Sequence, residues 1–178
     1  SGLIADGTAQ GIYTFMLERL KPYLREKGLE PDEIDAVLSL NPTRLDQLMP
    51  RLTALQQFRA LPEAAALAAA NKRIRNILRQ AGAAVAGEVD PGLLKEEAEK
   101  KLAAAVQALH GQVMPLLKSG GYAKALKLLA TLRPAVDEFF DKVMVMADDM
   151  AVRNNRLALL NSLSNLFLHV ADISRLQG

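Results

Sequence analysis

Apolar residues return every third or fourth position along almost the whole chain, and no stretch alternates convincingly at every second one. A period near 3.6 builds an amphipathic helix, and a period of two builds a half-buried strand. The pattern therefore predicts an all-α protein with no sheet. "TAQGIYTFMLERLKPYLREKG" is the first example, with Ile12, Phe15, Met16, Leu20, Tyr23 and Leu24 at helical spacings and Gly28 as a stop. Aromatics make up only 4% of a chain that is half apolar, so aliphatic side chains must fill the core. Alanine and leucine dominate that set, and both favour helix.

Proline, glycine and short polar side chains divide the pattern. Pro31 and the acids after it suit a helix N-terminus in "EPDEIDAVLSL". "NPTRLDQLMPRLTALQQFRAL" follows, with Asn41 as the expected cap and Pro50 as an expected kink. Pro62 opens "PEAAALAAANKRIRNILRQAG", and Gly82 and Gly87 mark a loop around "AGAAVAGEVDPG". Asp90-Pro91 is expected to open the next helix, with Pro115 ending or bending it. Ser119-Gly120-Gly121 is a break, "YAKALKLLATL" a short helix, and "RPAVDEFFDKVMVMA" another with Pro134 in its first turn. Asp148 or Asp149 caps a last helix from about Ala151 to Arg175. Breaks near Gly28 and Leu61-Pro62 are candidate edges. The expected division is a helical extension over 1–61 and a bundle over 62–178. Ser1-Gly2 is consistent with a cloning scar.

Catalytic chemistry has little to stand on. With no cysteine there is no disulfide, thiolate metal site or thiol nucleophile. His110 and His169 lack companions at metal-ligand spacing, and Gly120-Gly121 lacks the setting of a phosphate loop. Neither a catalytic nor a metal site is expected. No apolar run reaches the roughly 18 residues that span a bilayer, and the start lacks the features of a signal peptide. A reducing cytoplasm and no membrane partner are the expectation.

The net charge of +2 says little about partners, but its distribution says more. No acid occurs from Ala64 to Gly87, or from Lys100 to Val136. On a helix through "LAAANKRIRNILRQA", Leu67, Ala70, Ile74, Ile77, Leu78 and Ala81 share one face. Lys72, Arg75 and Arg79 share another, with Asn76 beside them. Such a stripe is either a solvated outer face or a phosphate contact. Tyr122, near Lys118, Lys124 and Lys127, either stacks on an unpaired base or packs on the neighbouring helix. Arg153, Asn154 and Asn161 suit base edges and phosphates, and equally suit ordinary surface. Arg156 heads the stripe of Leu160, Leu163, Phe167 and Val170, so a structural ion pair with Asp141, Asp148 or Asp149 is expected.

Three ordered segments carry a resemblance: "AAANKRIRNIL", "LRPAVDEFFDKVMVMADD" and "RNNRLALLNSLSNLFLHVADISRL". Together they resemble the C-terminal end of bacterial glycyl-tRNA synthetase beta subunits. "YTFMLERLKPYLREKG" and "DEIDAVLSL" fit the helical region before that end. The resemblance implies a DALR-type anticodon-binding helical bundle, non-catalytic, that helps select and position glycine tRNA. It implies that ATP and glycine are handled on a separate alpha subunit, so this chain needs no cofactor. The implied partners are glycine tRNA, the alpha subunit and the remainder of the beta subunit, with no DNA. The rival expectation is a helical module that docks other parts of the synthetase without touching RNA.

Overall fold

A computed structural model of the chain describes residues 6–82 and 87–177, with side chains from residue 11 onward. The expected scar at Ser1-Gly2 and the middle of the "AGAAVAGEVDPG" loop lie outside these residues. Among the described residues there are eight α-helices and no strand. They are α1 (Asp6–Glu26), α2 (Pro31–Leu38), α3 (Leu48–Arg59), α4 (Ala64–Ala81), α5 (Glu97–Lys118), α6 (Tyr122–Ala130), α7 (Arg133–Lys142) and α8 (Met150–Leu168). Three 3-10 turns, Leu45–Gln47, Pro91–Leu93 and Ile173–Arg175, punctuate them.

α8 is the axis of the molecule. Every residue from Asn155 to Leu160 is buried, so this helix is covered on all sides rather than along one stripe. α4, α5 and α6 pack on it; α5 also holds α6 and α7, and α3 lies along α6. Leucines and alanines fill the spaces between, as the shortage of aromatics requires. The few phenylalanines bridge elements: Phe58 of α3 meets Phe167 of α8 edge to face, with centroids 6.2 Å apart. The core runs without interruption from Leu17 to Ile173.

Local chemistry moves several boundaries. Asn41 does not cap a helix start; it takes φ +50 beyond the end of α2, a conformation asparagine tolerates better than most residues. Pro50 kinks nothing, because it is the third residue of α3, where a backbone N–H has no partner in any helix. Asp90 caps the 3-10 turn at Pro91–Leu93 instead of α5. α5 starts seven residues later, where Glu96 and Glu99 form a reciprocal capping box. Pro115 sits inside the last turn of α5 without ending it.

α7 stops at Lys142, before the predicted end. The chain leaves the helix with Val143 extended and then bends at Val145 and Met146, with Val143 and Val145 buried and Met144 and Met146 exposed. α8 ends at Leu168, not at Arg175. The Arg51 guanidinium takes the terminal carbonyls of His169 at 3.0 Å and Val170 at 3.5 Å, and the chain turns away.

Candidate nucleic-acid interface

Residues 171–177, beyond the two-residue turn that follows α8, form a strap across α2, α3 and α4. The Asp172 N–H donates to the Ala36 carbonyl of α2 at 2.7 Å. Its carboxylate accepts from Arg75 of α4 at 2.6 Å, from Arg175 at 3.1 Å, and from the backbone N–H and hydroxyl of Ser174. Farther on, the Gln177 N–H donates to Asp32 at 2.8 Å, and Arg59 donates to the Gln177 carbonyl at 3.0 Å. Burial works against the charge on Asp32. The Gln177 N–H and the Arg59 guanidinium outweigh it and hold this carboxyl below its ordinary value.

Between α4, α8 and the strap lies a groove of about 310 Å³. α8 lines it with Asn161, Ser164, Asn165 and Leu168, which recur at three and four residues and so share one face. α4 contributes Asn71, Arg75 and Leu78, the end of α2 contributes Ser39, and the strap contributes Arg175. Most of these polar groups are not spent on the fold. Asn71 is only 4% exposed. Its Nδ2 donates to the Leu67 carbonyl at 3.0 Å, but Oδ1 receives no hydrogen bond from any described residue. Ser39 Oγ is buried without a partner. Asn161, Ser164 and Asn165 also have no partner among the described residues. Of these, only Ser39 Oγ is fully covered without a partner, against the general pairing of covered polar groups; Asn161 and Ser164 are half-buried and Asn165 is exposed, so their side chains are open to water or to a ligand in the groove.

The predicted site residues separate into groups. Lys72 and Arg75 line adjoining clefts that share Ser174 and Arg175. Asn76 and Arg79 occupy the next turn of α4, both exposed, with Arg79 donating to Asn76 at 3.2 Å. Lys124 and Lys127 of α6 rim a different groove of about 590 Å³, floored by Leu61, Leu116 and Leu128, which shares no residue with the first. Lys118 is exposed at the end of α5. Asn154 is exposed in the first turns of α8, and Arg153 is half-buried, donating through Nε to the Ala147 carbonyl at 2.7 Å. Tyr122 is withdrawn from solvent at 4% exposure, with the Arg51 guanidinium 4.9 Å from its ring centre. Its ring is taken by packing and by a cation, so of the two roles the sequence left open it fills the packing one.

Arg156 is ion-paired, but with Glu99 of α5 and not with Asp141, Asp148 or Asp149. Two parallel bonds, 2.7 Å and 3.2 Å, join the guanidinium to the carboxylate, and a third bond reaches the Met144 carbonyl at 2.7 Å. Glu99 also accepts the N–H groups of Lys95 and Glu96. Asp149 instead caps α8, accepting from the N–H groups of Ala151 and Val152. It lies seven residues before Arg156, about 10 Å along the axis. Burial raises the Glu99 pKa, but Arg156 and the two N–H groups lower it further, so the carboxyl stays below its ordinary value.

The fold also unites the two histidines, which the sequence left isolated. His110 of α5 and His169 at the end of α8 face one groove of about 720 Å³, which meets the first groove at Asn165. Burial, then the nearby His110 and Arg51, hold His169 below the ordinary histidine value. Among the described residues no group of three or more His, Asp or Glu is placed to hold a metal. No helix among them is long and apolar enough to cross a membrane.

Asn71, Ser39, Ser164, Asn165 and Arg175 escaped the sequence reading. One signal was available: Asn71 interrupts the stripe Leu67, Ile74, Leu78, where a polar side chain needs a reason. Arg175 carried no signal, because its place depends on how the strap folds back.

Comparison with known proteins agrees with this architecture. The chain is 52% identical over 165 residues to the glycine–tRNA ligase beta subunit of Thiobacillus denitrificans, covering 93% of this chain and 24% of that protein. It is 51% identical over 175 residues to the corresponding subunit of Marinobacter nauticus, covering 98% of this chain and 25% of the relative. To that of Shewanella denitrificans it is 47% identical over 177 residues, covering 99% and 26%. The chain thus spans about a quarter of the length of these relatives. Residues 67–173, from the start of α4's apolar stripe to the strap, match the family described as "DALR anticodon binding domain"; with its all-helical bundle, the chain belongs to the DALR anticodon-binding domain family.

Proposed function

We propose that this chain binds the anticodon region of glycine tRNA as part of a glycine–tRNA ligase beta subunit, and that it does no chemistry itself. The observation that carries the reading is the groove between α4, α8 and the strap, where unspent amides and hydroxyls meet Arg75 and Arg175. Single-stranded RNA is recognised by this combination: cations take the phosphates, and amide and hydroxyl groups take the exposed edges of the bases. Lys72, Asn76 and Arg79 extend the cationic side along α4, while Lys118, Lys124 and Lys127 form a separate patch by α6, and Arg153 and Asn154 lie toward the start of α8. Binding here discriminates among tRNAs and orients the acceptor end toward a distant active site. ATP and glycine are then used by an alpha subunit, in the cytoplasm, with the bundle over 62–178 as the RNA-facing unit.

Fluorescence anisotropy with labelled tRNA tests this. The chain should prefer glycine tRNA to unrelated tRNAs, and log affinity should fall with log salt by about 0.7 to 0.9 per phosphate contacted. Equal affinity for unrelated tRNAs at moderate salt overturns the reading.

A second reading rests on a different observation. α1 exposes Ile12, Phe15, Met16 and Tyr23 at helical spacings, and its described packing is against α2. The segment over 1–61 then serves to dock the remainder of the beta subunit or the alpha subunit. Both readings hold together if α1 faces protein and the strap side faces RNA.

A further inference from the structure

Asn71 is the residue of the groove that the fold explains least. It stands on the apolar stripe of α4 and is 4% exposed, a position where leucine or isoleucine would pack with no polar group to satisfy. Its orientation is fixed: Nδ2 donates to the Leu67 carbonyl, and the reversed amide would set two oxygens against each other. Oδ1 is therefore an acceptor with no described donor, on the floor of a groove of about 310 Å³. That volume is at the low end of the roughly 300 to 1,000 Å³ of small-ligand sites. It suits one flat heterocycle and is too small for a folded loop. Asn161 and Asn165 supply open amides on the α8 wall, and Arg75 and Arg175 stand beside them.

We propose that this groove seats one unstacked nucleobase bearing an exocyclic amino group, whose N–H donates to Asn71 Oδ1. The proposal rests on the RNA-binding reading and names what that site selects. Uracil presents a carbonyl where cytosine presents the amine; two oxygens would then face each other, shielded from water and unpaired. The phosphate beside the base falls to Arg75. That side chain is 54% exposed, so it can exchange Asp172 for phosphate, and Asp172 keeps Arg175 and Ser174 as partners.

Uracil scanning of an anticodon stem–loop from glycine tRNA, read by anisotropy with the whole chain, tests the seat. At one loop position uracil should weaken binding about tenfold. In Asn71→Leu that penalty should shrink to less than about twofold, whereas Asn161→Ala, which removes an amide from the facing wall, should weaken the unmodified stem–loop about fivefold or more and keep the penalty. Asn161 is half-exposed and bonded to nothing described, so the second variant keeps the test open if Asn71→Leu fails to fold, which circular dichroism would show. No binding by the unmodified chain overturns the RNA reading and the seat with it. Selective binding in which uracil is tolerated at every position, in which the penalty persists in a folded Asn71→Leu, or in which Asn161→Ala binds the unmodified stem–loop as before, overturns the seat alone.

Discussion

Two arginine–carboxylate pairs, one on either side of α8, use the same groups to different ends. Arg156 and Glu99 are 7% and 0% exposed, and backbone N–H groups and a carbonyl occupy the remaining valences. Arg75 and Asp172 are 54% and 12% exposed, at the mouth of a groove where the side chains of Asn161, Ser164 and Asn165 are open. The first pair is sealed, so no ligand competes for it. The second has one partner in water and a carboxylate that other donors satisfy, so a phosphate can compete for Arg75. Charge type does not separate architecture from recognition here; burial and the fate of the abandoned partner do.

The sharpest way to break this comparison is to truncate one member of each pair. Glu99→Ala leaves the Arg156 guanidinium buried and unpaired, and should cost about 3–5 kcal/mol in urea unfolding. Arg75→Ala should change stability by about 1 kcal/mol or less, because its pair is half in water. If the two variants destabilise equally, the distinction is lost.

Acid separates the pairs next. The Glu99 carboxyl is held below its ordinary value. Its contribution is therefore complete above the unfolded glutamate pKa, about 4.3, and is lost as the pH falls from there through the folded value. Unfolding free energy of the unmodified chain should fall across that window, and Glu99→Gln should flatten this part of the profile. An unchanged slope in Glu99→Gln would assign the acid sensitivity elsewhere.

RNA binding should show the reverse ranking. Arg75→Ala should weaken tRNA binding and make the salt slope shallower by about 0.7 to 0.9, one phosphate contact. Lys124→Ala combined with Lys127→Ala should leave that slope nearly unchanged if the α6 groove is not part of the RNA surface. A larger loss from the lysine pair than from Arg75 would move the interface to α6.

The smallest effect concerns His169, held below the ordinary histidine value by burial and by His110 and Arg51. A phosphate nearby would raise it, so binding would take up a proton. Affinity should then rise as the pH falls toward the lowered His169 value, and His169→Gln should remove that rise. A pH-independent affinity in the unmodified chain would place the RNA away from the α5–α8 groove.

How much of this was legible beforehand differs by level. The helices were, because each amphipathic segment declares its own period: the apolar stripe of α4 and the stripe of α8 from Arg156 onward were readable residue by residue. The ends of helices were less so, since they depend on distant groups. Arg51, 118 residues before His169, closes α8, and nothing near residue 169 announces it. Ion-pair partners were the hardest: the acids close to Arg156 in sequence are the wrong ones, and Glu99, 57 residues away, meets it only because α5 packs on α8. For Tyr122 the sequence left stacking and packing both open, and only the tertiary structure decides for packing, with Arg51 over its ring.

Periodicity alone determined that this chain is helical, aliphatic in its core and basic along α4, because those properties are local and repeat within a few residues. The tertiary structure decided which cations are free, which carboxylates they meet, and that Asn71, Asn161 and Asn165 open into one groove. Those depend on which faces of α4, α8 and the strap are brought together, and a sum of weak, long-range contacts sets that arrangement, not any single segment of sequence.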